Sequence, residues 1–191
     1  MQERVISNFE TFQKILSKTG SRASDLERFL DTYGERIAVC PSHNLSKRST
    51  SAAGGLVEHA LQTFKIARKL VEATGVEINP ESLAIVCLLH EVGKIGDESR
   101  DYFVPQSSQW HMERGQVYTY NPDIPKMTHP HRTLYLLQSN GIHLTLDEWI
   151  AILTQSGTSS EENRFYAGCE NNLAVILQSA IRMAVMKEED N

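Results

Sequence analysis

Seven histidines are the residues in this chain whose spacing suggests chemistry. His59 follows Gly54-Gly55-Leu56-Val57-Glu58 and shares a helical face with Leu56, Thr63 and Leu70, so its ring points inward. An inward histidine is either a metal or catalytic group or a core histidine bonded to a backbone carbonyl. His90-Glu91 closes a nearly all-apolar helix, 31 residues further on. A helix C-terminus carries partial negative charge and favours a cation, and imidazole beside carboxylate is a donor set for zinc, manganese or iron. The plain alternative is a solvated helix end. His129 and His131 bracket Pro130 where a helix begins, which suits phosphate better than a cation; an ordinary exposed helix start fits equally. His111 lies with Trp110, Tyr118 and Tyr120, as a lid over a pocket or as surface packing. His43 and His143 fall in loops and receive no role.

The elements that must position these groups read as helical almost throughout. Residues 3–18 carry Val5, Phe9, Phe12 and Leu16 on one stripe up to Gly20, and a second helix from Ser24 fades near Tyr33-Gly34. Residues 40–54 read as a Ser-rich polar loop. Helical spacing returns from Gly55 to Ala73. Asn79-Pro80-Glu81 then starts a buried central helix that reaches His90, with Gly93 as its C-cap. Trp110–Met112 and Gln116–Tyr120 flank Glu113-Arg114-Gly115 as a short hairpin within an irregular stretch, 94–127. Thr128 opens the next helix. Thr145 and Glu148 form a capping box for another, ending at Gly157, and a last helix spans 172–187. The expectation is an all-α bundle of about seven helices with a β-like insertion around 108–120. It reads as one domain over 1–191, with N-terminal helices in 1–38 and a core in 40–187. The first few and last five residues read as disordered.

Composition narrows the classes. Twenty-four acidic against nineteen basic residues give a net charge of −5, against a coat for duplex DNA. Cys40, Cys87 and Cys169 are few and scattered, so a disulfide framework or thiolate metal knuckle is not expected. No apolar run reaches the roughly 18 residues of a membrane span, and no secretory signal is read at the start. A cytoplasmic protein without membrane attachment is expected.

Gly54–His59, followed by Leu88-Leu89-His90-Glu91 and Lys94 in an all-helical chain, resembles the HD superfamily of metal-dependent phosphohydrolases. A subgroup common in phage and bacterial genomes is the nearer likeness, traceable from about residue 40 to 185. The resemblance implies metal ligation by His59, His90, Glu91 and His129. Glu91 stands where the family has Asp, Gln155 where it has His, and Ile181 where it has a final Asp. Isoleucine ligates nothing, so that position reads as core. His59, His90 and Glu91 remain as the core of the set, with His129, His111 or His131 as recruits, and a dinuclear centre is not expected.

Two functions of different class follow. The substitutions favour a degenerate site, with the fold serving as a non-catalytic or weakly active binding module for a nucleotide or protein partner, with or without a metal. The other is an active hydrolase of nucleotides or short oligonucleotides. It would use a divalent transition metal (zinc, manganese or iron) on His59, His90 and Glu91, with Glu91 and Lys94 catalytic. Lys94, Arg132 or Lys47-Arg48 would then meet phosphate. Trp110, His111, Tyr118, Tyr120 and His131 would complete the substrate contacts.

Overall fold

The central helix, α4 (Pro80–Leu89), is buried from Ser82 to Leu89 on every side. Asn79 caps it, its side chain accepting from the Glu81 and Ser82 amides, and Pro80 sits where no amide is needed. A computed structural model describes residues 2–189. Around α4 stand α1 (Gln2–Leu16), α2 (Ala23–Val39), α3 (Gly55–Thr74), a short α5 (Gln109–Met112), α6 (His129–Ser139), α7 (Leu146–Leu153) and α8 (Asn172–Glu189). Helix α3 packs on α4 and α8, α8 packs on α7, and α6 packs on a 3-10 turn at Val92–Ile95. A continuous core runs through Phe12, Phe29, Leu56, Ile85, Leu88, Leu137, Ile152 and Leu177. Each such side chain removed from water contributes about 1.5–3 kcal/mol before entropy is charged against it.

The all-α expectation holds, and several boundaries move for identifiable reasons. Helix α2 runs through Gly34 to Val39, because Gly34 is where Phe9 of α1 packs; a Cβ there would lie 3.1 Å from that ring. Gly93 does not cap α4. It lies inside the Val92–Ile95 turn and lets α6 approach. Helix α7 stops at Leu153, before Gly157, with its Thr145–Glu148 capping box formed.

The hairpin is differently built. Strand β1 (Phe103–Pro105) pairs antiparallel with β2 (Tyr118–Tyr120), Phe103 opposite Tyr120, whereas Trp110–Met112 forms α5. The alternation that marks 116–120 as a strand carries no information about its partner. Helix α1 already begins at Gln2 and α8 reaches Glu189, so disorder there is not observed. Met1, Asp190 and Asn191, also expected to be disordered, lie outside the described residues. Among the described residues, no helix is long and apolar enough to cross a membrane.

Candidate metal centre

His59 sits one turn into α3, where Gly55 fixes the helix start. A Cβ on Gly55 would fall 1.7 Å from the Thr50 carbonyl oxygen, so the 3-10 turn at Ser49–Ser51 lies directly against the helix. His90 and Glu91 follow α4, where the chain leaves the helix for the Val92–Ile95 turn. Both imidazoles are buried, with ring centroids 5.4 Å apart. His59, His90 and Glu91 each offer one donor atom, and the three donors lie within 4.8 Å of one another. Donors sharing one ion about 2 Å away must cluster on this scale.

The hydrogen bonds specify which nitrogen of each ring is available. His90 Nδ1 is 2.9 Å from the Cys87 carbonyl, which can only accept, so the proton sits on Nδ1. His59 Nδ1 is 2.5 Å from a carboxylate oxygen of Glu188. Nε2 of both rings is buried without a hydrogen-bond partner among the described residues. Buried polar atoms without a partner are uncommon in protein interiors. Burial pushes the His90 pKa down to about 3, so the ring is neutral at pH 7 with its lone pair free. Burial opposes the Glu91 charge, but the Lys94 ammonium beside it outweighs this and holds the carboxyl well below its ordinary range.

The surroundings come from loops that look merely polar in sequence. Ser42 is buried and donates to Glu91 at 2.8 Å. Lys94 pairs with the other Glu91 oxygen and donates to the Ser42 carbonyl at 2.9 Å. The Gln155 side-chain amide donates to the His90 carbonyl at 2.8 Å and to that of Ile152 at 3.0 Å. Ile181 packs against the core.

Beside the cluster lies a cavity of about 180 Å³ lined by Ser42, His43, Asn44, Lys94, Tyr102, Phe103, Tyr120 and His129. Burial lowers both His43 and His129 to about 4, leaving Lys94 as the cation on this wall at neutral pH. Tyr102 and Tyr120, 5.2 Å apart, also line a second cavity of about 330 Å³ with Pro122, Ile124, Pro125 and Met127. Sequence reasoning named Tyr120 as a substrate contact, Lys94 as catalytic and His129 as a metal ligand. Among the described residues His129 stands outside the three-donor cluster and lines the cavity instead, and Tyr102, Phe103, His43, Ser42 and Glu188 were missed. An aromatic pair at 102–103 was the available signal for two of these.

Other expected substrate contacts are engaged elsewhere and line neither cavity. Trp110 is exposed, with the Arg114 guanidinium 3.5 Å above its ring. His111 bonds Ser108 at 2.8 Å, and Tyr118 lies half-buried on the sheet. His131 is exposed and bonds Thr128 at 2.6 Å. Arg132 is buried, donating to the Pro125 carbonyl with its guanidinium 5.5 Å from the Tyr102 ring centre, so it braces the 122–127 segment. Lys47 and Arg48 pair with Glu189 at 3.8 and 3.3 Å.

The family model described as HD domain matches residues 56–179, which contain all three donors and most of the core around them. No curated protein and no solved structure matches the chain.

Proposed function

Because the chain belongs to the HD domain family, we propose that it holds one divalent transition metal ion (zinc, manganese or iron) on His59, His90 and Glu91, and hydrolyses a phosphate ester of a nucleotide or short oligonucleotide. Two observations carry this reading together: one donor atom each from His59, His90 and Glu91 lies within 4.8 Å of the others, and Nε2 of both rings is buried without a partner among the described residues. When bound, such an ion supplies Lewis-acid polarisation and an activated water.

The chain's own residues divide the remaining work. His59 and His90 each turn Nε2 away from the hydrogen bond that engages Nδ1. Lys94, held by Glu91 and the Ser42 carbonyl, faces the adjoining cavity as the counter-charge for phosphate. His129, kept neutral by burial, is available for proton transfer on the same wall. Tyr102, Phe103 and Tyr120 offer ring faces to a base.

A second reading, a non-catalytic binding module for a nucleotide or protein partner, draws on Gln155 and Ile181. The Gln155 amide nitrogen bonds backbone carbonyls and its side chain also bonds His129, while Ile181 packs against the core, and neither belongs to the three-donor cluster. Elemental mass spectrometry of untagged protein purified without chelator tests the ion on which the hydrolase reading depends, with His90→Ala beside it, and the substrate screen then separates the two. About one transition metal per chain, lost in the variant, is expected. A screen of nucleotide and oligonucleotide phosphates would follow. Absence of metal after soaking with zinc, manganese and iron would overturn the hydrolase reading and leave the binding module.

A further inference from the structure

Glu188 is a buried carboxylate with no part in the three-donor cluster, and it lies beyond the residues the family model matches. The inner stripe of α8, Ala174, Leu177, Ala180 and Ala184, is apolar, and the same stripe then places Glu188 against α3. Both carboxylate oxygens are used: one is 2.5 Å from His59 Nδ1 and the other accepts from the Thr50 hydroxyl at 2.9 Å. Thr50 is itself buried, in the 3-10 turn that Gly55 admits. Burying an ion costs several kcal/mol unless it is paired and hydrogen-bonded. The partner found here is the ring whose opposite nitrogen is orphaned.

We propose that Glu188 is a positioning residue for the metal centre: it holds the His59 proton on Nδ1, aims Nε2 at the ion, and supplies the negative charge that Ile181 does not. This rests on the reading of His59 as a ligand. A carboxylate behind a ligating imidazole fixes its tautomer and raises its basicity. The charge is needed because the Glu91 carboxylate is ion-paired to Lys94, so that pair brings little net charge to a divalent ion. With Thr50 holding its second oxygen, the Glu188 carboxylate cannot swing away from the ring.

The test uses the full chain with Glu188→Gln, which keeps size and an acceptor but removes charge, and Glu188→Leu, which removes both. Zinc affinity is measured by competition with a chromophoric chelator, and thermal melting is followed in parallel. Wild-type binding, with a loss of about 10–100-fold in Glu188→Gln at an unchanged melting temperature, is expected. Unchanged affinity in that variant would overturn the proposal.

The second readout needs no metal. In protein labelled with 15N-histidine, long-range proton–nitrogen correlation spectra report the His59 tautomer. Wild type must show the Nδ1–H form, and Glu188→Leu must redistribute it; should that variant not fold, Thr50→Val serves, and must loosen the same preference. An Nε2–H tautomer in the wild type refutes the positioning role. If wild type binds no zinc, the ligand reading of His59 fails and the role in metal positioning is overturned with it. A retained Nδ1–H tautomer would then leave Glu188 as a structural partner of His59.

Discussion

Gly93→Ala should be among the most damaging single-methyl additions in this protein. At residue 93 a Cβ would lie 2.6 Å from both the His129 carbonyl oxygen and the Thr133 amide nitrogen, and 2.8 Å from the Thr133 hydroxyl. Two of these are backbone atoms of α6, so no rotamer change relieves them and the helix must move. Moving it breaks the 2.9 Å bond from the Gly93 amide to Thr133, whose hydroxyl also donates to the His90 carbonyl at 3.0 Å. Overpacking costs about 1–3 kcal/mol, and a buried amide left without an acceptor about 1–3 more. Reduced freedom of the unfolded chain returns about 0.4–1 kcal/mol. The expected net loss is about 1–5.5 kcal/mol, a large part of a typical domain's stability of about 5–15. Urea unfolding followed by circular dichroism measures it. Gly141→Ala is the control: its φ is +74° with nothing near the added Cβ, so only the left-handed penalty of about 1–2 kcal/mol applies. A Gly93→Ala loss within about 0.5 kcal/mol, or below that of the control, would refute the close-approach argument.

Other expectations are direct. The folded-state pKa of His90, about 3, lies below the unfolded value near 6.5, so the folded state binds fewer protons. Stability is then full above about pH 6.5 and falls as pH drops towards 3, with His43 and His129 adding to the slope above about 4 and Glu91 below its ordinary range. Urea midpoints of metal-free protein that stay level between pH 7 and 4.5 would contradict this. Arg22→Ala leaves Glu148, fully buried and 2.6 Å from the guanidinium, without its cation; a loss of about 3–5 kcal/mol is expected in the same urea assay. A thiol reagent should modify Cys169 quickly in native protein and all three cysteines in denaturant. Cys87 is fully buried and burial raises the Cys40 thiol to about 12, so more than one fast native thiol would be inconsistent with this packing.

The donor triad was legible because its information is local. Helical spacing puts His59 on the inner face of α3, and an all-apolar run delivers His90-Glu91 to the end of a buried helix. The bonds that decide what those donors can do are not local. Ser42 and Glu91 are 49 residues apart and His59 and Glu188 are 129 apart, and no periodicity in either segment encodes the pairing. Glu188 falls among the last five residues, which read as disordered from the sequence, and only the path of α8 brings it to His59. Tyr102 failed for a related reason: its relevance depends on β1 pairing with β2, and pairing depends on the partner's position. Arg132 shows the converse, since a cation beside His131 looks available for phosphate until the 122–127 segment is seen to fold over it.

The long-range bond between His59 and Glu188 also makes the centre an instrument for reading the whole fold. Its donors come from α3 and the end of α4, and they are held by the Ser42 loop and the last turn of α8. Fraying of any one of these four segments removes a donor or its orienting bond. A divalent ion bound there would therefore distinguish the assembled state from any state in which one of these four segments has opened. By linkage, free ion at a hundred times its dissociation constant adds about 2.7 kcal/mol to global unfolding. That gain appears in hydrogen exchange as slowing of the most protected amides of α3 and α4, in step with the ion's concentration and not confined to the neighbourhood of the site.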